Sequence, residues 1–407
     1  MTIADRAAPP TDRTAAPYLP ADDTAFDITS AEVHAAREQS WYARTPYGLA
    51  VLRYDEVNRL LKDRRLRQGS AAWPAHNGIH SGLFTDWWKD VLMNLEGDDH
   101  HRIRRLLNPA FSSRAVGALV PRFQQLAEEL VDDFVEDGRC EFVSQFAEPY
   151  SARILCILLG LPESEWKQVS EWAVDLGLSL GVTFAQDLGR IETALAGLYG
   201  YCNDLIAERR DHPRDDLASR LVRASHEEDR LTETELAVSL VFLIFAGMDT
   251  TRNQLGLALQ TFLQHPDQWS RLGARPELGR AAVEEVMRVS PTITWISREA
   301  VETFEFQGVE IRRGETLQMF SHSAGTDPRA MPDTSFDIEA ERAPQMGFGG
   351  GMHHCLGHFV ARMDMAVALP LLARRLRDPR PDGPGEWLPL SGNTGPVRFP
   401  ITFTPSA

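Results

Sequence analysis

The segment 232–264 constrains the fold of this 407-residue chain more than any other segment. Apolar residues occupy every side of its middle, from Ala237 to Met248, so a helix here would have no face suited to water. We therefore predict a long helix that runs through the interior. Thr232 and Glu235 have the spacing of a capping box and place its start. The apolar run itself is too short to span a bilayer.

Helical periodicity also dominates the rest of the chain. We predict further helices over residues 31–39, 54–63, 99–108, 115–137, 143–159, 163–180, 187–211, 277–289 and 357–376. Strand patterns are few: 48–53, 397–403, and a strand–turn–strand unit in which 304–311 leads through Arg313-Gly314 into 316–320. The expected fold class is mainly α with small β-sheets. Residues 1–25 are rich in Pro, Ala and Asp, so we expect them to be disordered and 26–407 to form a single domain.

Charge and cysteine content limit the classes of partner. The formal net charge is −16, which argues against a nucleic-acid binder and against a protein that lies on an anionic membrane. The four cysteines are widely spaced and form no CxxC pair, which suits a reducing compartment. The N-terminal segment lacks the apolar core of a signal peptide or membrane anchor. We therefore expect a cytoplasmic, monomeric protein that binds neither nucleic acid nor membrane.

A glycine-rich segment that ends in a cysteine is the most informative part of the chain for chemistry. It reads Phe348-Gly-Gly-Gly-Met-His-His-Cys355-Leu-Gly357, and a long amphipathic helix is predicted to follow it. Glycines allow backbone angles and close approaches that side chains forbid. A thiol at a helix N-terminus has a lowered pKa, which favours the thiolate that iron or a nucleophilic site requires.

Two other interpretations of Cys355 stay open at this stage. It could be a buried structural cysteine, although the glycine run argues against that. It could also belong to a zinc site, because His354 and His358 flank it and His100-His101 form another pair. Structural zinc sites usually combine paired ligands from two segments.

The interior helix carries a second unusual segment, Phe245-Ala-Gly247-Met-Asp249-Thr250-Thr. A buried carboxylate needs partners or changes its pKa, and Gly247 weakens a helix by roughly 1 kcal/mol relative to alanine. A threonine hydroxyl can bond to the carbonyl one turn earlier and bend the helix. Three local penalties within one turn indicate a functional site. The alternative is that Asp249 faces a water channel.

These segments together resemble cytochromes P450. The motifs occur in the order found in that family: His100-xxx-Arg104, Ala-Gly-Met-Asp-Thr-Thr at 246–251, Glu285-xx-Arg288, then Phe348-xx-Gly351-xxx-Cys355-x-Gly357. The resemblance runs from about residue 30 to the end. It implies the P450 fold, a haem b cofactor (heme b, iron protoporphyrin IX), and monooxygenase activity that consumes O2.

The resemblance assigns roles to residues around the haem. The Cys355 thiolate would be the fifth iron ligand and would favour O–O cleavage. Gly247 would make room for dioxygen, and Asp249 with Thr250 would organise a proton relay. The residues that would contact the haem or its propionates are His100, Arg104, Arg298, His353, Phe348 and Gly357.

The same resemblance predicts a buried charged cluster that braces the cysteine loop. Glu285 and Arg288 would form it, and Arg342 is the candidate third member. Two departures from the family pattern lie nearby. The segment before Asp327-Pro328 lacks the common Asn-Arg pair, and Gln345 stands where histidine is frequent.

A substrate pocket is expected over the haem. Its aromatic content suits a small, largely apolar organic molecule from secondary metabolism or catabolism. The predicted wall residues come from four segments: Trp73, Phe84, Trp87, Trp88, Phe242, Phe245, Ile293, Thr294, Trp295, Asn393 and Thr394. Packing of these tryptophans in the core is the alternative.

Electrons are expected from separate proteins, a small acidic ferredoxin and its reductase, because no flavin or iron–sulfur segment is fused to the chain. A basic patch could steer that partner: Arg102, Arg105, Arg362, Arg374 and Arg375. Three alternatives to hydroxylation stay open: a P450 that ends in desaturation or oxidative coupling, a non-catalytic haem or ligand-binding protein, and a zinc enzyme.

Overall fold

Helices and short strands make up the part of the chain that the computed structural model describes, residues 13–225 and 231–406. The α-helices are α1 Ala31–Gln39, α2 Tyr54–Leu60, α3 Trp73–His76, α4 Leu83–Asp90, α5 Gly97–Leu107, α6 Ser113–Gly117, α7 Val120–Asp132, α8 Glu148–Leu159, α9 Trp166–Gly177, α10 Phe184–Asp211, α11 Leu217–Ala224, α12 Glu233–Leu263, α13 Pro266–Ala274, α14 Gly279–Val289, α15 Ser321–Gly325 and α16 His358–Arg375. The strands are β1 Tyr42–Thr45, β2 Gly48–Val51, β3 Leu66–Gln68, β4 Arg139–Glu141, β5 Trp295–Ala300, β6 Phe304–Phe306, β7 Val309–Ile311, β8 Thr316–Phe320, β9 Leu376–Pro381, β10 Glu386–Trp387, β11 Pro396–Arg398 and β12 Pro400–Pro405.

Helix α12 confirms the predicted interior helix. Thr232 caps it: its hydroxyl accepts the N–H of Glu235 at 3.2 Å, and the Glu235 carboxylate accepts the N–H of Thr232 at 2.7 Å. The helix is long and apolar enough to cross a membrane, but 67% of its most apolar window is buried inside the protein. It is therefore a core helix.

The other predicted helices are also present: α1 has the predicted bounds, and the rest have shifted bounds. The segment predicted over 115–137 divides into α6, α7 and a short 3-10 turn at Val135–Asp137. The segment 143–159 starts with a π-helical turn at Val143–Ala147 and continues as α8. Sequence periodicity missed α4, α11 and α13, which are short helices of eight or nine residues.

The principal sheet has the strand order β1-β2-β8-β5-β3. The β2–β8 pair is parallel, and the other three pairs are antiparallel. The predicted strand–turn–strand unit was wrong in its connectivity, because 304–311 is itself the β6–β7 hairpin. Gln307 and Gly308 both have positive φ, 50° and 78°, as a two-residue hairpin turn requires. Thr316–Phe320 pairs with β2 and β5 instead.

The predicted last strand, 397–403, belongs to two small sheets. Its beginning, β11, pairs with β10, and its remainder, β12, lies between β4 and β9. Strand β12 therefore joins the C-terminus to the end of α7 and to the end of α16, which carries the cysteine loop at its start.

The expected disorder of residues 1–25 does not hold for residues 13–25. Leu19 and Ala21 are fully buried, and Leu19 N–H donates to the carbonyl of Arg44 on β1 at 2.9 Å. The apolar residues among the prolines explain this packing, which composition alone concealed. Residues 1–12 lie outside the described residues.

Two hydrophobic clusters form the core. The smaller one surrounds β1, β2, β7 and β8, and the larger one lies among the helices. Ala246 of α12 and Cys355 are both half-buried and both pack against the larger cluster. The two segments singled out by the sequence therefore adjoin the same core.

Candidate active site

The cysteine loop has the tight backbone that its glycines predict. Gly349 and Gly351 have φ of 67° and 70°, in the left-handed region that favours glycine. A Cβ on Gly351 would lie 2.7 Å from the carbonyl oxygen of Leu61, so a side chain is excluded there. The N–H of Cys355 donates to the carbonyl of Phe348 at 2.9 Å and closes the loop. Helix α16 then begins at His358, with Gly357 as its N-cap.

The thiol of Cys355 has the groups that stabilise a thiolate, but burial opposes them. Burial raises the pKa of Cys355, whereas the Gly357 N–H and the guanidinium groups of Arg104 and Arg362 act to lower it. The expected net lowering was therefore wrong for the protein alone, because desolvation outweighs the helix terminus. Arg104 lies close because its Nη2 donates to the carbonyl of His354 at 2.6 Å.

Aromatic contacts on the outer side of the loop argue against zinc. The guanidinium of Arg362 lies 4.3 Å from the ring centre of Phe348, and its Nη1 is 2.8 Å from Nδ1 of His358. His354 and His358 contact each other edge to face, with ring centres 4.7 Å apart. Among the described residues no three His, Cys, Asp or Glu side chains form a group that could hold a metal ion.

A cluster of His100, which is buried, with the partly buried His353 and Glu96 lies beside the loop. The rings of His100 and His353 have centres 4.5 Å apart, and Nε2 of His353 lies 3.0 Å from Oε1 of Glu96. His100 is 1% exposed, and neither of its ring nitrogens has a hydrogen-bond partner among the described residues. Burial, with His353 and Arg104 nearby, lowers the pKa of His100 to about 4.

Arg298 on β5 reaches the same region. Its side chain is 3% exposed, and its guanidinium donates to Gln68 Oε1 at 2.6 Å and to the carbonyl of Gly350 at 3.0 Å. Burial lowers the pKa of Arg298 to about 10, and Glu96 opposes that change. The fold thus brings together His100, Arg298 and His353, which lie far apart in the sequence.

This donor set fits haem. The buried ring nitrogens of His100 lack partners, and Arg298 is a buried cation next to the glycine loop, so the pair suits a group that carries carboxylates. A cysteine at a helix N-terminus suits the iron. The residues present are therefore those that a haem with two propionates would need.

On α12, the carboxylate of Asp249 is buried and has three partners. Its Oδ1 is 2.5 Å from Nη2 of Arg252, and its Oδ2 accepts from Asn253 at 3.2 Å and from Asn393 at 2.6 Å. It is 4% exposed, so the alternative of a solvated aspartate in a water channel does not fit. Burial raises the pKa of Asp249, whereas Arg252 and Asn253 act to lower it.

Thr250 and Gly247 have neighbours different from those of Asp249. The hydroxyl of Thr250 donates to the carbonyl of Ala246 at 3.0 Å, as a threonine inside a helix can do. A Cβ on Gly247 would lie 2.7 Å from Cδ1 of Leu155. Gly247 therefore allows close packing of α12 on α8, a different neighbour from the dioxygen that the resemblance implied.

The predicted charged cluster is present, and Arg342 belongs to it. Arg288 Nε and Nη2 donate to Glu285 at 2.7 and 2.6 Å, and both residues are at most 3% exposed. Nε of Arg342 lies 3.5 Å from Oε1 of Glu285. Arg288 also donates to the carbonyls of Gly325 and Ser335, at 3.0 and 2.9 Å, and so joins α14 to the loops on either side.

The two departures from the family pattern have structural contexts. A Cβ on Gly325 would lie 2.3 Å from the carbonyl oxygen of Arg288, so an asparagine would not fit at this position. Arg37 of α1 donates to the carbonyl of Ser323 at 2.6 Å and to Thr326 at 3.1 Å. Gln345 accepts the N–H of Gly347 at 2.6 Å and donates to Glu284 at 3.2 Å.

Most predicted pocket aromatics form one cluster between α4, α10 and α12. Its ring contacts are Phe84–Trp88, Phe84–Trp87, Trp87–Phe245, Trp88–Phe245, Phe242–Phe245 and Phe84–Phe184. Phe84, Trp87 and Trp88 are at most 1% exposed. The alternative of core packing therefore describes these three residues well.

The remaining predicted wall residues come from three segments that contact one another: α3, residues 293–295 and residues 393–394. Trp73 contacts Trp295 at 6.2 Å between ring centres and donates its indole N–H to the carbonyl of Ser179 at 2.7 Å. Ile293 bridges Asn393, and the N–H of Thr394 donates to the carbonyl of Thr292 at 2.8 Å. The Thr294 hydroxyl donates to the carbonyl of Ser391. The structure brings this set together.

Sequence reasoning missed four residues of the site: Glu96, Gln68, Arg252 and Asn253. Arg252 and Asn253 stand three and four positions after Asp249, so helical spacing was a usable signal. No local pattern marks Glu96, because its contacts with His353 and with the N–H of Gln68 join distant segments.

Comparison with known proteins bears directly on this geometry. The sequence model of the family described as Cytochrome P450 matches residues 182–379. Luteothin monooxygenase of Streptomyces thioluteus is 39% identical over 391 residues, which cover 95% of this chain and 96% of that protein. Mycinamicin IV hydroxylase/epoxidase of Micromonospora griseorubida is 33% identical over 371 residues, covering 88% and 91%. The crystal structure of CalO2 has a TM-score of 0.85 at 29% identity and covers 95% of this chain and 100% of that chain.

The similarity to luteothin monooxygenase and to mycinamicin IV hydroxylase/epoxidase covers about nine tenths or more of each chain. The geometry also brings two distant motif residues together, since the Arg104 guanidinium lies near the Cys355 thiol. The chain therefore belongs to the cytochrome P450 family and is a haem b monooxygenase of an organic substrate.

Proposed function

We propose that this cytochrome P450 oxidises a largely apolar secondary metabolite, with Asp249 and Thr250 supplying protons to the oxygen side of the haem. The observation that carries the proposal is the buried carboxylate of Asp249 next to the half-buried Thr250 on a core helix, a pair that a purely structural helix does not need. Haem, when bound, supplies the activation of dioxygen and its insertion into a C–H bond.

The residues of this chain divide into three roles. Cys355 binds the iron through its thiolate, and the Gly357 N–H with Arg104 and Arg362 stabilises the negative charge on the sulfur. His100, Arg298, His353 and Arg104 hold the propionates through hydrogen bonds and charge. Phe348 and Gly357 would contact the haem at the loop, and Gly247 keeps α12 close to α8.

The substrate class follows from the wall residues and from the relatives. Trp73, Trp295 and Phe245 offer aromatic surface, which suits an apolar or aromatic molecule. The names of the two relatives specify luteothin and mycinamicin IV, which are therefore the first two molecules to test. Desaturation or oxidative coupling is the second candidate outcome, since one solved relative at 29% identity, CxnD, forms a C–S bond.

The cellular setting is part of the proposal. We propose a cytoplasmic monomer that takes electrons from a ferredoxin and its reductase, with a single domain that also includes the packed residues 13–25. The net charge of −16 and the burial of α12 support a protein that stays free of membranes.

Substrate titration tests the proposed substrate class. Luteothin and mycinamicin IV are titrated into the oxidised haem protein, and the Soret band is followed. We expect at least one of them to shift the band toward the high-spin position and to gain one oxygen atom on turnover, by mass spectrometry. No shift with either compound, or with related apolar metabolites, would remove this substrate class.

Substitution of the acid–alcohol pair tests the proton path. Thr250→Ala is expected to keep the red-shifted carbon monoxide band of thiolate-ligated haem but to release hydrogen peroxide in place of product. Asp249→Asn is expected to slow dioxygen consumption by about 100-fold, the usual contribution of a general acid. Cys355→Ala should abolish the carbon monoxide band. Unchanged turnover in both helix variants would contradict the proposed relay.

A further inference from the structure

Asn393 was predicted to line the substrate pocket, but its side chain is committed elsewhere. Its Nδ2 donates to Oδ2 of Asp249 at 2.6 Å. Its Oδ1 accepts from the hydroxyl of Thr292 at 2.6 Å. Both ends of the amide are thus occupied, and the Asp249 carboxylate, which accepts hydrogen bonds when ionised, takes the NH2 end. Asn393 is 2% exposed, which leaves little of it for a substrate.

The turn that carries Asn393 is fitted closely to α12. A Cβ on Gly395 would lie 2.5 Å from Cβ of Asn253, and a Cβ on Gly256 would lie 2.2 Å from Cγ of Pro396. The two backbones can approach only because both positions are glycine. This close packing of the turn on α12 therefore fixes the position of the Asn393 amide beside Asp249.

The same turn contacts the segments expected to bound the substrate. The N–H of Gly392 donates to the carbonyl of Leu180 at 2.9 Å, and the N–H of Thr294 donates to the carbonyl of Gly392 at 3.2 Å. Ile293 forms an isolated bridge with Asn393. Residues 391–395 thus connect the end of α9, the start of β5 and α12.

The position of Oδ2 of Asp249 depends mainly on its hydrogen bond from Asn393. Arg252 and Asn253 approach from one face of α12, three and four residues on. From the other side, a Cβ on Gly177 would lie 3.0 Å from Oδ2, so α9 leaves no room for another group there. Without the short bond from Asn393, Oδ2 would keep only the 3.2 Å contact with Asn253.

We propose that Asn393 is a positioning residue for Asp249: its amide fixes the carboxylate on α12 and connects it, through the 391–395 turn, to the expected substrate wall. This inference rests on the proposed role of Asp249 as a proton donor. It replaces the interpretation of Asn393 as a residue that touches substrate.

Single variants give the first test. The measurement is the rate of NADPH-driven dioxygen consumption and its solvent isotope effect, with luteothin bound and without it. Asn393→Ala is expected to lower the rate about tenfold, the effect of one hydrogen bond to a charged group, and to raise the isotope effect. Asn393→Asp keeps the shape but loses the donor, so it should be at least as slow. Gln268→Ala removes a buried amide bonded to the Ile338 N–H and should change neither quantity.

A double-mutant cycle separates the inference from the proposed function. If Asn393 acts through Asp249, adding Asn393→Ala to Asp249→Asn lowers the rate no further. A full additional loss in the double variant would overturn the positioning role and return Asn393 to the substrate wall. Full activity of Asn393→Ala, with Asp249→Asn impaired, would also overturn it. Full activity of Asp249→Asn would instead refute the proposed proton path.

Discussion

At the scale of single residues, Asp364 on α16 is the most unusual buried group outside the site. It is fully buried, and neither carboxylate oxygen has a partner among the described residues. Burial raises the pKa of Asp364 well above the usual range of an aspartate. The folded protein therefore favours the protonated form of this carboxyl, whereas the unfolded chain ionises it near its ordinary pKa of about 3.9.

This difference in pKa predicts that Asp364→Asn increases the stability of the protein by an amount that depends on pH. With its pKa raised, Asp364 binds protons more tightly in the folded state than in the unfolded state, so its contribution to stability falls as pH rises above about 4 toward the raised folded pKa. Asparagine has no proton to lose, and we expect it to raise the free energy of unfolding by about 1–3 kcal/mol at neutral pH. The gain should shrink near pH 4, as measured by thermal unfolding at both pH values.

The matched control is Asp204→Asn on the exposed face of α10, which should leave the melting temperature unchanged at either pH. A loss of stability in Asp364→Asn at neutral pH, or a gain that is the same at both pH values, would contradict the assignment of a buried neutral acid.

At the scale of elements, the charged cluster of α14 connects this helix to the loops around it. Glu285 accepts from Arg288 twice and also accepts the N–H of Asp337 at 3.0 Å. Glu285→Gln would leave the buried Arg288 without a compensating charge and would remove one of the two carboxylates near Arg342. We expect the free energy of unfolding to fall by about 3–5 kcal/mol, as measured by chemical denaturation. We also expect a haem content well below that of the unmodified protein, as measured by absorbance.

Glu277→Gln serves as its control, because Glu277 pairs with Arg275 at the protein surface. Surface pairs contribute little, about 0–1 kcal/mol. Equal stability of the two variants would show that the cluster is not a buried brace.

The start of α12 offers a smaller and separate test. Thr232→Ala removes the hydroxyl that accepts the N–H of Glu235, and it should lower stability by about 1 kcal/mol. Thr232→Ser keeps the acceptor and should retain most of that energy, as measured by chemical denaturation. Equal losses in both variants would mean that the methyl group, not the cap, matters.

Elements also mark where sequence reasoning succeeds. Helix α12 and its cap could be predicted because periodicity and capping are local properties. The pairing of β2 with β8 could not be predicted, because it joins residues such as Leu49 and Leu317 that are far apart in the sequence. The same holds for the site: Cys355, Asp249 and Glu285 lie in recognisable motifs, whereas the contact from Asn393 to Asp249 depends on how a distant turn packs.

At the scale of the whole molecule, the charge of −16 bears on the electron donor. Three of the five arginines expected to attract an acidic ferredoxin are already paired with carboxylates: Arg102 with Glu235, Arg362 with Glu284 and Arg375 with Asp132. Their positive charge is therefore largely compensated. Arg105 and Arg374 are exposed and form no ion pair with the residues that the structure describes.

Position distinguishes these two arginines. Arg105 follows Arg104, whose guanidinium contacts His354 beside the cysteine. Arg374 lies sixteen residues beyond His358, the first residue of α16, or about 24 Å along the helix. That separation exceeds the screening length of about 8 Å at physiological salt. Of these two arginines, Arg105 is therefore the one closer to a partner that docks near Cys355.

We accordingly expect Arg105→Gln to slow reduction of the haem by an acidic ferredoxin about threefold at low salt, with Arg374→Gln close to the unmodified protein. Stopped-flow mixing with ferredoxin, at about 0.02 M and about 0.5 M ionic strength, measures both rates. The difference should vanish at high salt, because a screened charge no longer steers association. If Arg374→Gln has the larger effect, the ferredoxin docks away from the cysteine loop. If neither variant is slower, Arg105 does not steer the ferredoxin.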